Sequence, residues 1–366
     1  MNVALLSPCF WPEVRRGTER FARLLADGLI RRGLTVTLIT SHPGASTRTV
    51  EDGLEIVRLR RPPGGGRLAR RMWEHHLLHV PGTYLALRRG DPDVAHALFP
   101  TDALAAARWS ARTGRPAVHS FMGIPHRQGL ANRRGRAEIV RRAIAGSAAT
   151  VALSDAAGQG FERWLGAEAR VIYPGVDLEA FTPDEAARAP VPTIFCAAAV
   201  GEPRKRVPLL LAAFERLRAR RPDTELALSR PRGPGGDKGV RPLCPPGVRY
   251  VDVDDSAALV AAYRAAWVTA LPSIGEAFGL VLVESLACGT PVVASDEGGM
   301  REVVGRRPDI GRLFAGEDPD ALAAVLDEAL DLRAAAAACR ARAEDFPAQH
   351  TADAYLDLYR ELGAAG

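Results

Sequence analysis

Lysine is nearly missing from this chain. Its 366 residues hold two, Lys205 and Lys238, so almost every fixed positive charge is an arginine guanidinium. Cysteine is sparse too: Cys9, Cys196, Cys244, Cys288 and Cys339 are odd in number, widely scattered and without a CxxC pair, which argues against a disulfide framework and a zinc knuckle. No apolar run approaches the ~20 residues that a spanning helix needs. The first residues, Met-Asn-Val-Ala-Leu-Leu-Ser, lack a basic leader region and run straight into strand-like sequence, so a cytosolic protein without a signal peptide is expected. What is present is ordinary globular material, 47% apolar and 25% charged, in a length beyond the ~250–300 residues at which single cores stop growing. Two domains are expected.

Charge is unevenly spread. Up to Gly175, 26 Lys and Arg face 14 Asp and Glu, giving +12, and the remainder has 22 against 29, giving −7. A basic first half suits an anionic partner such as phosphate or a membrane face, and equally follows from arginine-rich composition. No nucleic-acid partner is expected.

The order of elements is strand, helix, strand, repeated. Val3-Ala-Leu-Leu reads as a buried parallel strand, and a Pro- and Gly-punctuated loop runs from Ser7 to Gly17. A helix capped by Thr18 and stopped by Gly33 then carries Phe21, Leu24, Leu25 and Leu29 on one face, before a strand at Thr35. Further short strands are expected at Asp93-Val-Ala-His, Pro116-Ala-Val-His and Thr150-Val-Ala-Leu, separated by Ala- and Arg-rich helical stretches. The rhythm restarts after residue 174, with strands at Thr193, Thr224, Val248, Trp267 and Pro291. The expectation is α/β: two doubly wound parallel-sheet domains, 1–174 and 175–347, facing across a cleft, and a C-terminal helix within 348–366 that caps or bridges them. That helix places Tyr355, Leu358, Tyr359 and Leu362 on one face.

Chemistry concentrates in residues 271–294. A strand ends near Leu271, a glycine-bearing loop carries Glu276, and a helix runs from near Gly279 to Gly289. Backbone N–H groups of Phe278, Gly279 and Leu280 at that helix start favour an anion such as a diphosphate. Two acids there, Glu276 and Glu284, would be repelled by a diphosphate unless they accept hydrogen bonds from hydroxyl groups, which a sugar ring or ribose supplies. The phrase Glu276-x7-Glu284, with Phe-Gly-Leu between and Gly-Thr-Pro-Val-Val after, resembles the E-x7-E signature of retaining glycosyltransferases of family 4, which have the GT-B fold. The resemblance covers nearly the full chain. It implies that Glu276 lies by the donor sugar and that Glu284 holds the nucleotide ribose.

Gly201-Glu-Pro-Arg-Lys-Arg-Val-Pro resembles the family's basic loop, placing Arg204 or Lys205 on the donor diphosphate. Pro208 suits the first turn of the helix that follows. This chain lacks the usual glycine-arginine opening of that loop, so which cation bonds which phosphate stays open. Gly17 stands where the family has a glycine-rich loop at the diphosphate, although Arg16 replaces one of its two glycines. A histidine in the phrase Ala117-Val-His-Ser-Phe-Met-Gly implies a donor-sugar contact by His119, whereas His96 reads as a core histidine, with Leu98 where the family often has another histidine. The catalytic candidates are Glu276 and His119; the donor-binding candidates are Gly17, Arg204, Lys205, Phe278, Gly279, Leu280 and Glu284.

Three patterns are set aside. Asp252-Val-Asp-Asp spells a metal-binding D-x-D, but Asp255 or Ser256 is placed to cap a helix. His75 and His79 have i,i+4 spacing without the glutamate of a zinc helix. The glycine triplet 64–66 follows no strand.

The resemblance implies transfer of a sugar from a nucleoside diphosphate sugar to an acceptor hydroxyl with retention, donor in the second domain and acceptor in the first, needing no metal or cofactor. The rivals are a nucleotide-sugar epimerase or phosphorylase of the same fold and a non-catalytic two-lobed binding protein. Arg58, Arg60, Arg61, Arg67, Arg70 and Arg71 precede Trp73, Leu77, Leu78 and Tyr84, an order that fits peripheral contact with an anionic membrane and a lipid-linked acceptor, or a merely solvated loop.

Overall fold

The computed structural model describes residues 1–14, 17–61, 74–230, 245–332 and 335–364. Arg16, the glycine triplet 64–66, Arg67, Arg70, Arg71, Trp73, Lys238 and Cys244 lie outside the described residues, as does the side chain of His75. The chain divides into two units, Met1–Pro174 with Ala348–Gly366, and Gly175–Pro347.

In the first unit an eight-stranded sheet is built from β1 (Asn2–Leu6), β2 (Thr35–His42), β3 (Thr47–Glu51), β4 (Leu54–Arg60), β5 (Val94–Ala97), β6 (Ala117–Phe121), β7 (Ala149–Ala152) and β8 (Arg170–Val171). The spatial order is β3-β4-β2-β1-β5-β6-β7-β8. Val3, Leu5 and Leu6 are buried because helices cover both faces of a parallel sheet, which is why the strand reads as an unbroken apolar run. Helix Gly17–Ile30 lays Phe21, Ala22, Leu25, Ala26 and Leu29 on this core. It begins at Gly17, so Thr18 lies inside the first turn instead of capping it. Helix Ala348–Glu361 adds Tyr355, Leu356, Leu358 and Tyr359 to the same core.

The segment between Thr40 and Asp93 holds two strands that the sequence reading does not place. Strands β3 and β4 form an antiparallel edge hairpin, the one antiparallel pairing in the sheet among the described residues. Asp52 (φ 51°) and Gly53 (φ 81°) make its two-residue turn. Left-handed backbone at both positions matches the twist of a hairpin, and Asp-Gly is the sequence that supplies it.

The second unit holds β9 (Thr193–Cys196), β10 (Glu225–Ser229), β11 (Val248–Val251), β12 (Val268–Leu271), β13 (Val292–Ser295) and β14 (Gly311–Phe314). Its pairings are parallel, in the order β11-β10-β9-β12-β13-β14. The chain winds outward from β9 to β11, then returns to place β12 on the other side of β9. Strand order therefore reverses between β9 and β12, and in doubly wound sheets ligands collect at the carboxyl ends of the strands flanking that reversal.

Candidate active site

The loops leaving β9 and β12 meet at this reversal. The β9 loop ends in the short turn Pro203–Lys205 and then helix Val207–Arg218, with Pro208 in its first turn. The β12 loop carries Glu276 and ends at Gly279, whose left-handed conformation (φ 96°) caps helix Leu280–Ala287 without any side-chain cap. The backbone of Ile274 donates to the carbonyl of Arg204 at 2.9 Å and joins the two loops directly.

Glu276 is the centre of the charge arrangement. Its Oε1 accepts from Arg204 Nη1 at 3.0 Å and from Lys205 Nζ. The Glu276 and Lys205 side chains are only 15% and 14% exposed, and Arg204 is 43% exposed. Burial alone would push the Glu276 carboxyl up, but the charges of Lys205 and Arg204 outweigh it and hold the group below the usual carboxylate range. Arg204 also bonds Glu202 through Nε at 2.5 Å. Of the residues expected together, the structure gathers Glu276, Arg204, Lys205 and the Phe278-Gly279-Leu280 helix start.

Sequence reasoning passed over three residues that build this site. Arg206 sits in a left-handed conformation (φ 49°), which for a residue with a Cβ costs of order 1–3 kcal/mol. Its guanidinium offsets that cost by bonding Pro272 O at 2.7 Å, Ser295 Oγ at 2.8 Å and Gly316 O at 3.0 Å, which ties the loops after β12 and β14 to the last residue of β13. Glu297 accepts from the Gly275 backbone N–H at 2.6 Å. Gly299 must be glycine, since a Cβ would stand 2.3 Å from Ala277 O and 2.5 Å from Phe278 Cα. Only positive φ and close backbone approach reveal these roles, and neither is written in a local pattern.

Glu284 lies further along the same helix, 4% exposed, and its Oε2 accepts from the Tyr263 hydroxyl at 2.8 Å. Phe278 is buried with its ring edge-on to Phe346.

The remaining candidates belong to the first unit. His119 is fully buried within β6, which continues two residues past it to Phe121, so it does not end its strand. Its Nδ1 stands 3.3 Å from Ala97 O and its Nε2 has no partner among the described residues. His96 is a core histidine with both nitrogens engaged, by Tyr359 at 2.6 Å and Ser120 at 2.7 Å. Gly17 opens its helix with nothing within 4 Å of where a Cβ would sit. A cavity of about 280 Å³ lies at the carboxyl ends of β1 and β2, lined among others by Trp11, Pro12, Thr40, His42, Pro43 and Arg58. The Thr40 hydroxyl is buried there with no partner among the described residues.

The set-aside patterns have structural partners. Asp255 caps helix Ser256–Ala265 by accepting from Ala258 N at 2.7 Å. His79 Nδ1 bonds Asp102 at 2.7 Å. In the basic segment Arg58 pairs with Glu51 and Arg61 with Glu13, while Tyr84 lies under Arg108. Among the described residues no helix is long and apolar enough to cross a membrane.

The family profile described as "Glycosyltransferase Family 4" matches residues 15–180, and "Glycosyl transferases group 1" matches 191–331. A D-inositol 3-phosphate glycosyltransferase of Jonesia denitrificans is 32% identical over 72% of this chain and 69% of its own length. One of the same name from Rhodococcus jostii is 35% identical over 52% of this chain. The match spans about half the length of such relatives, 46% in the Rhodococcus case. Among solved structures, a sucrose-phosphate synthase of Thermosynechococcus elongatus superimposes with TM-score 0.82 at 22% identity over 100% of both chains. Anabaena HepE in complex with UDP-glucose does so with TM-score 0.73 at 18% identity over 99% of this chain and 100% of that one. The fold is thus of GT-B type, and with a family profile on each half and a third of residues shared across most of a relative, the chain belongs to the family 4 glycosyltransferases.

Proposed function

We propose that this protein moves a sugar from a nucleoside diphosphate sugar to an acceptor hydroxyl and retains the anomeric configuration. The observation that carries the reading is Glu276 held by Arg204 and Lys205 at the start of helix Leu280–Ala287. A carboxylate, two cations and a helix start at the reversal of a doubly wound sheet make a site for a molecule that is both polyhydroxylated and anionic. The solved HepE complex with UDP-glucose, on the same fold, supports a donor of this class.

In this reading Arg204, Lys205 and the backbone at Phe278, Gly279 and Leu280 stabilise the departing diphosphate, the role a metal ion fills in other transferases. Glu276 accepts from a hydroxyl of the donor sugar. Glu284 accepts from the ribose. Retention by double displacement needs a carboxylate that attacks the anomeric carbon from the face opposite the leaving group. Glu276 is tied to the cations of the leaving-group side, which supports a front-face route. There the diphosphate oxygen takes the acceptor's proton while the acceptor oxygen enters on the same face.

The first unit takes the acceptor, and the cavity beside Trp11 and Thr40 is sized for a small ring bearing hydroxyls. A lipid-linked acceptor adds peripheral membrane contact around Arg60 and Leu78, both exposed. Co-sedimentation with anionic vesicles at low salt separates it from a small metabolite.

The test is a panel of α-linked nucleoside diphosphate sugars with the product read by NMR coupling constants. An α-linked product is expected. An inverted product overturns the retaining reading, a trapped covalent glycosyl-enzyme overturns the front-face route, and binding of every nucleotide without turnover favours a non-catalytic protein.

A further inference from the structure

We propose that Tyr263 is a positioning residue for Glu284 and thereby sets the enzyme's preference for a ribose over a deoxyribose in the donor. The inference rests on the reading of Glu284 as the ribose ligand and goes on to a residue which that reading does not include.

Glu284 sits on a helix whose neighbouring positions Leu282, Val283, Ser285, Leu286 and Ala287 are all buried. A carboxylate in such surroundings needs fixed donors, because burial without them is costly. Tyr263, on helix Ser256–Ala265, supplies one: its hydroxyl donates to Oε2 at 2.8 Å, and no part of Tyr263 is exposed. The phenol is itself immobile. Its ring meets Phe195 edge-on at 5.3 Å and Phe181 at 6.2 Å, and its backbone carbonyl accepts from Thr290 Oγ1 at 2.8 Å. The Thr290 backbone donates to the carbonyl of Ser285 at 3.0 Å, next in sequence to Glu284. The circuit from Tyr263 through Glu284, Ser285 and Thr290 back to Tyr263 closes on itself.

The consequence for recognition is geometric. A carboxylate has about four lone-pair sites, and a donor fixed on Oε2 holds its plane and aims the others. A ribose presents two neighbouring hydroxyls, and a site rejects the analogue lacking one only when its acceptors are already aimed where that hydroxyl would be. Without the phenol the carboxylate rotates, and both the affinity for the diol and the discrimination against its deoxy analogue decline. Removal of a merely structural tyrosine lowers stability and leaves that discrimination unchanged.

The experiment measures dissociation constants for whichever of UDP, GDP and ADP binds best and for its 2′-deoxy and 3′-deoxy analogues. The wild-type, Glu284→Gln and Tyr263→Phe proteins are compared, with donor KM and kcat measured alongside. Wild type should prefer the ribonucleotide, and Glu284→Gln should bring the preference close to one. Tyr263→Phe should lower it roughly three- to tenfold, less than the full worth of a charge-assisted hydrogen bond because the loss reaches the ribose only through Glu284, and raise donor KM more than it lowers kcat. An unchanged preference in Tyr263→Phe, with a collapsed one in Glu284→Gln, overturns the proposal alone. An unchanged preference in Glu284→Gln overturns the reading of Glu284 beneath it. Should Tyr263→Phe not fold, Tyr263→His keeps a donor at a shifted place; wild-type preference in that variant overturns the proposal, and a lowered one supports it.

Discussion

Lys205 donates to Oε1 of Glu276 from the loop on the other side of the strand-order reversal, so the carboxylate assigned to the donor sugar is paired to a cation assigned to the diphosphate. Arg204 shares the same oxygen. The three charges form one unit, and substitutions within it should not act independently.

Glu276→Gln removes the carboxylate's charge and keeps its shape. Transfer should fall by about a hundredfold or more, as for loss of a group acting at the reacting centre, while the chain folds normally. Nucleoside diphosphate binding should be as tight as in wild type or tighter, because Lys205 and Arg204 lose an anionic competitor. Titration calorimetry beside turnover checks this. Wild-type turnover in the variant would sink the assignment of Glu276.

Replacing Arg204 and Lys205 together by Ala should weaken nucleoside diphosphate binding by about tenfold or more and leave nucleoside binding nearly unchanged, since only the diphosphate carries the charge. Equal losses for both ligands return the pair to the role of holding Glu276 alone.

Thr40→Val fills the same volume as the threonine and removes a buried hydroxyl that has no partner among the described residues. Without acceptor it should be neutral or mildly stabilising. If the cavity takes the acceptor, Thr40→Val and Trp11→Ala should raise acceptor KM several-fold at unchanged donor affinity. Steady-state kinetics with each substrate varied in turn makes the distinction, and a change confined to donor KM contradicts it.

Burial pushes the His96 ring down to about 3, helped by repulsion from His119. Burial likewise takes His119 to about 4, although its bond to the Ala97 carbonyl pulls the other way. Both rings stay neutral in the folded chain at pH values where the unfolded chain has taken up their protons. Their contribution is fully present above about pH 6.5 and is lost as pH falls towards 4, at up to ~1.4 kcal/mol per pH unit for each ring. Denaturant titrations at pH 7, 6 and 5 should show this decline, and His119→Gln should lessen the slope by about one proton. A slope unchanged in His119→Gln would show that His119 is protonated in the folded state.

Much of the molecule is legible in its sequence for reasons that are local. Buried parallel strands must be apolar runs, so Val3-Ala-Leu-Leu and Thr193-Ile-Phe-Cys announce themselves, and glycines and prolines mark where the helices between them begin and end. The Glu276 to Glu284 phrase is legible because a strand, a loop and a helix start lie consecutively in the chain. The hairpin at Asp52-Gly53 was equally local and still passed over, although Asp-Gly is the dipeptide that marks such a turn.

Tertiary structure alone decided what depends on contacts between distant segments. That Lys205 and Glu276, 71 positions apart, share a hydrogen bond follows from the return of β12 to the side of β9, which no periodicity encodes. Arg206 reads as a third basic residue until its left-handed backbone turns the guanidinium onto two loops and the end of β13. Tyr263 reads as one more apolar face of a helix until its hydroxyl meets Glu284. The C-terminal helix, amphipathic by its own pattern, belongs to the first unit because Tyr355 and Tyr359 carry hydroxyls that find Ser120 and His96 in that unit's core. Periodicity marks which face of an element is buried, and the complementary polar atoms of distant segments decide against what.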